Sequence, residues 1–160
     1  MSQVHLHLLI THLPVLGSII GALVLGYGLW AKSNQTKNAA YLLFIFSAIG
    51  ASIAYLTGEG AEEAVERIQG ASKSMIERHE DAAMYALISL IALGTISVIA
   101  LVVSRFKTSL IRATSLSIFV LSLISFGLVA RTGYLGGQIR HTEISVGAIQ
   151  YNGGGEKDDD

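Results

Sequence analysis

The chain has 160 residues, of which 51% are hydrophobic and 14% charged, with a formal net charge of -1 and no cysteine. Soluble domains carry about 25% charged residues, and a chain without cysteine has no disulfide framework, no thiolate metal site and no CxxCH haem attachment. The near-neutral charge leaves no footprint for nucleic acid, and neither GxxxxGK[ST] nor GxGxxG is present.

The few charges are sorted into blocks. No Asp, Glu, Lys or Arg occurs in 1–31, 38–58, 82–104 or 113–130, stretches of 31, 21, 23 and 18 residues. A helix needs about 20 apolar residues to cross a bilayer, and one this poor in charge has no polar face to turn to water. The fold class expected is all-α: an integral membrane antiparallel four-helix bundle.

The first span is expected at 3–31. It lacks a basic leading region and a small-residue cleavage site, so it reads as a retained helix. The polar connection KSNQTK at 32–37 is short enough to make the next span, 38–58, its antiparallel neighbour. AEEAVERIQ at 61–69 reads as a short amphipathic helix between the second and third spans, bounded by Gly60 and Gly70. Ser74 with Glu77 forms a capping box, which starts the third span at 75–104. The fourth follows at 108–135. Residues 1–145 form the membrane domain, and the Gly-rich acidic stretch within 146–160 reads as a flexible tail.

Four spans put both termini and the middle loop on one side, face A, and the two short loops on face B. All twelve carboxylates fall on face A, whereas face B holds Lys32, Lys37, Arg105, Lys107 and Arg112 without an acid beside them. Purely basic short loops favour the cytoplasm, so face A is expected outside. Tyr27 and Trp30 near face B, and Tyr55, Tyr85 and Tyr134 near face A, are placed as interfacial belts. Apart from Arg112, the helix interiors near face B carry no expected ionisable residue, which disfavours ion transport through the bundle.

All five histidines, His5, His7, His12, His79 and His141, also map to face A. His5 and His12 are seven apart and share one side of a helix; His7 and Pro14, continued by Gly21 and Gly28, share a roughly opposite side. His12 is the deepest, and ionisable side chains at depth face the bundle interior. His79 opens the third span at a matching level. Neutral imidazoles from two helices can ligate one metal or one haem iron, so His12 and His79 are the first candidates and His7 and His141 the substitutes. Gly17, Gly21 and Gly28 could give a macrocycle room or form a small-residue packing face. Arg78 and Arg131 could pair with propionates or with neighbouring acids. The competing metal site adds Glu59 and Glu80 to His7, His12, His79 and His141, a nitrogen and oxygen donor set suited to Zn, Cu(II) or Fe. Glu62, Glu63 and Glu66 read as a solvated face.

His7-Leu-Leu-Ile-Thr-His12-Leu-Pro14, Thr57-Gly58, His79 and the closing Gly133-Tyr-Leu-Gly136-Gly137 with His141 together resemble a bacterial family of four-helix inner-membrane proteins labelled domain of unknown function 2231. The resemblance spans about residues 5–145. Leu8 stands where members commonly have Pro after the first histidine. The resemblance implies b-type-cytochrome-like helices in the bacterial inner membrane, and some relatives are fused to c-type cytochrome modules; with face A outside, both termini are expected to be periplasmic.

The expected function is membrane electron transfer by haem b near the periplasmic face, alone or as a subunit of a larger redox complex with a partner protein. The alternatives are a non-haem metal-binding protein and a cofactor-free structural or assembly subunit. The lipid bilayer is the expected partner, and Gly-rich helix faces permit a homo-oligomer. A stand-alone enzyme is disfavoured, since no nucleophile–base pair can be traced.

Overall fold

Backbone groups inside a bilayer find no water, so each segment has to pair its own N–H and C=O groups as a helix. Among its described residues the computed structural model has five: α1 (Gln3–Ile10), α2 (His12–Trp30), α3 (Asn34–Glu66), α4 (Lys73–Val103) and α5 (Ile111–Arg140). The structure describes residues 3–66, 73–104 and 111–140. Four of its stretches, His5–Trp30, Asn34–Gly58, Lys73–Val103 and Ala113–Ile139, are long and apolar enough to cross a membrane. The shortest has 25 residues, about 37 Å at 1.5 Å per residue, against about 30 Å of hydrocarbon.

The first span is divided at Thr11. Pro14 has no N–H for the carbonyl of Ile10, which opens the helix there, but Thr11 keeps φ -62° and ψ -22°, so the path continues as helix on either side. The chain leaves α2 through a Schellman turn: Ser33 N–H donates to Gly28 O at 3.0 Å and Lys32 N–H to Leu29 O at 3.4 Å, with Lys32 at φ 52°. Ser33 Oγ then accepts from Thr36 N–H at 3.2 Å, and α3 starts at Asn34, four residues earlier than the charge pattern predicts. Lys37 is thereby drawn into the helix and buried to 6% exposure, with Nζ donating to Asn34 Oδ1 at 3.3 Å. The expectation that Arg112 is the one ionisable residue at the face-B interior is corrected by this lysine. A methyl group added to Gly28 would meet the Lys37 stem at 3.1 Å, so this glycine makes room for it.

At the other end α3 runs on to Glu66, so 61–66 of the expected separate amphipathic helix is continuous with the second span. Ser74 lies within α4, not before it, and α5 extends five residues past the expected 135. His141 and the tail at 146–160 lie outside the described residues.

Around the bundle the order is α2, α3, α4, α5, with α5 closing back on α2 and α1 lying on α3. Leu25, Phe44, Leu90, Leu93 and Ile118 fill the centre. Buried hydroxyls are absorbed locally: Ser18, Ser47, Ser97 and Ser122 donate to Val15, Leu43, Leu93 and Phe119 carbonyls of their own helices. Two cases differ: Tyr41 Oη and Ser115 Oγ lie 2.8 Å apart across the core, and Ser125 Oγ is buried with no hydrogen-bond partner among the described residues. Tyr41→Phe is expected to cost about 1 kcal/mol, the usual net worth of one such bond, and detergent-unfolding midpoints measure it. Large apolar side chains such as Leu23, Leu56, Ile88 and Val120 face outward, which is bilayer contact. Tyr27, Trp30, Tyr55, Tyr85 and Tyr134 are all exposed, as belt residues should be.

Candidate functional site

α1 and α4 begin at face A, and α3 and α5 end there. This end gathers two histidines. His7, in the second turn of α1, donates Nδ1–H to the carbonyl of Ala54 on α3 at 2.9 Å, with Thr57 Oγ1 at 3.3 Å as a second acceptor. His79, in the second turn of α4, donates Nδ1–H to the carbonyl of Thr132 on α5 at 3.0 Å. A carbonyl can only accept, so both Nδ1 atoms carry a proton, and in the neutral imidazoles the lone pair is left on Nε2.

The helix ends are shaped to take these rings. Thr57 and Thr132 return their hydroxyls to Ile53 and Leu128 carbonyls at 2.9 Å each, which fixes their rotamers beside the imidazoles. A Cβ at Gly58 would sit 3.8 Å from His7 Cε1; at Gly136 it would sit 3.0 Å from His79 Cε1. Gly136→Ala is therefore expected to push the His79 ring off the Thr132 carbonyl, seen as a change in the His79 ring ¹⁵N shifts. Gly133→Ala and Gly137→Ala, where an added Cβ meets nothing within 4 Å, should leave them in place.

The other candidates stand elsewhere. His12 is exposed on the outside of α2, with Nδ1–H donating to Leu8 O at 2.8 Å in its own chain segment. The expectation that depth turns His12 inward is corrected: His7 is on the buried stripe with Pro14, Gly21 and Gly28, and His12 is on the opposite one. Arg78, Glu80 and Arg131 are exposed. Glu59 belongs to α3, but its side chain, like His141, lies outside the described residues. Among the described residues no three of His, Cys, Asp or Glu come together. Gly17 and Gly21 face Ser47 and Phe44 of α3, and Gly28 faces Lys37, so they serve helix packing and not a macrocycle.

Sequence reasoning missed Ala54 and Thr132, since they act through backbone carbonyls, and missed what Gly136 does. One signal was available: the Thr-Gly dipeptide that closes the second span, Thr57-Gly58, recurs near the close of the fourth as Thr132-Gly133.

The family model described as "Predicted membrane protein (DUF2231)" matches residues 3–146. No curated protein and no solved structure matches.

Proposed function

The chain belongs to the DUF2231 family of predicted membrane proteins, and on that premise we propose that it is a membrane electron-transfer protein holding one b-type haem through His7 and His79. The single observation that supports this reading is the matched pair of Nδ1–H donors on the carbonyls of Ala54 and Thr132. An imidazole whose far nitrogen is anchored in this way is oriented, made more basic and left with Nε2 as its ligating atom.

The donor set fits such a group. Two neutral imidazoles on different helices suffice for an iron that brings its own four equatorial nitrogens. A bare Zn²⁺ would ask for three or four protein ligands, and among the described residues no three of His, Cys, Asp or Glu come together. When bound, the haem supplies a one-electron ferric/ferrous couple. His7 and His79 would hold it from two helices, with Thr57 and Gly136 setting the ring positions and the apolar bundle below excluding water. Arg78 and Arg131, exposed on this face, are cations available to propionates.

We place the protein in the bacterial inner membrane with face A periplasmic, supported by the basic loops of face B, and its electron partner as a protein or larger complex on that side. The test is the visible spectrum of full-length protein purified from haem-replete cells. A Soret band with split α and β bands on reduction is expected. A colourless protein, or one carrying stoichiometric zinc or copper by elemental analysis, overturns the reading.

A further inference from the structure

The two histidines occupy equivalent places in two similar halves of the chain. Setting α4 on α1 and α2 with an offset of 72 residues brings His79 onto His7. At the same offset six of the seven buried positions of α2 (Pro14, Ser18, Gly21, Ala22, Leu25 and Gly28) fall on buried positions of α4. Setting α5 on α3 with an offset of 75 brings Thr132-Gly133 onto Thr57-Gly58, Phe119 onto Phe44, Ser122 onto Ser47, Ile124 onto Ile49 and Arg112 onto Lys37. Four of the five buried positions of α5 recur in α3 at that offset.

Helical periodicity alone brings buried stripes into phase at many offsets. It does not carry a histidine and a Thr-Gly pair along with them. The packing repeats as well. Each half is a hairpin, α2 on α3 and α4 on α5, and the halves meet twice, through α3 on α4 and α5 on α2. A two-fold axis along the bundle generates this ring, the parallel-repeat arrangement of membrane proteins.

We infer that the chain is a tandem pair of helical hairpins and that its cofactor site is one histidine seat built twice, so that a single bound centre lies on the internal two-fold axis and takes one Nε2 from each half. This rests on the His7–His79 reading above and narrows the ligand class. A planar macrocyclic metal complex offers two equivalent axial positions, one to each half. A tetrahedral ion on the same axis would need a second donor from each half, and the paired residues at this level, Thr57 with Thr132 and Gly58 with Gly133, bring no imidazole or carboxylate. The seats differ in detail: His7 uses the carbonyl of Ala54 and the Thr57 hydroxyl, whereas His79 uses the carbonyl of Thr132 and rests against Gly136.

The experiment is ¹⁵N-histidine NMR on the full chain in detergent, before and after one equivalent of diamagnetic six-coordinate cobalt(III) protoporphyrin. Before addition, His7 and His79 are both expected as the Nδ1–H tautomer. After addition, both Nε2 resonances are expected to move together, complete at one equivalent, while His5 and His12 stay. If one of the pair moves alone, the twin-seat inference is overturned while macrocycle binding at that histidine survives. If neither moves and the protein purifies without haem, the electron-transfer reading falls with it. An Nε2–H tautomer at either residue in the free protein overturns the twin seat whatever the cofactor.

Discussion

On the proposed haem reading, replacing His79 or His7 by alanine is expected to remove the haem bands, and replacing His12 is expected to leave them unchanged. Groups that merely orient a metal ligand are worth 10- to 100-fold in metal affinity, so loss of a ligand itself should lower haem occupancy by at least about tenfold at matched expression. The contrast with His12 carries the argument, because all three residues have Nδ1 on a backbone carbonyl. Only His7 and His79 have it on a different helix, and only these two are half-buried where helices meet. Fold loss is separable from ligand loss: each variant forfeits the hydrogen bonding of one ring nitrogen, about 1 kcal/mol, and size-exclusion profiles in detergent should stay unchanged. Loss of the bands in His12→Ala, or their survival in His79→Ala, would remove the His7–His79 assignment.

Gly94→Val is expected to destabilise the bundle by overpacking the α3–α4 contact, away from the site. A Cβ there would sit 2.7 Å from the Cβ of Ala48. That neighbour is the first atom of a short side chain and cannot rotate away, so the helices themselves have to part. Overpacking of this kind costs about 1–3 kcal/mol. Here it also acts at the α3–α4 contact, one of the two seams between the hairpins. Gly127→Ala is the matched control: an added Cβ meets nothing within 4 Å, and trading Gly for Ala in a helix gains about 0.5–1 kcal/mol. Midpoints of SDS-induced unfolding should move down for the first and stay or rise for the second.

The four spans could be read from where charges are missing, because desolvating a charge is costly enough that runs of 18 to 31 residues avoid it. The rotation of each helix was harder. Seven-residue spacing puts His7 and His12 on opposite stripes, as the structure has them, but depth does not say which stripe turns inward. The better guide was the company each keeps: His7 shares its stripe with Pro14, Gly21 and Gly28, small or rigid residues suited to close helix contact, and all three are buried. The early start of α3, which buries Lys37, depends on Ser33 capping a turn whose residues all read as polar linker. The anchors of the imidazoles were illegible for a different reason, since a backbone carbonyl leaves no residue type behind.

The two histidines stand in the second turns of α1 and α4. From His79 to the far end of α4 at Val103 is about 36 Å along the helix at 1.5 Å per residue. On the proposed reading, electrons reaching a centre held there would come and go through the near surface alone, because the rest of the bundle is an insulator of almost the full membrane thickness. A haem at this end would make the protein a terminal on one aqueous side, and not by itself a carrier of charge from one compartment to the other.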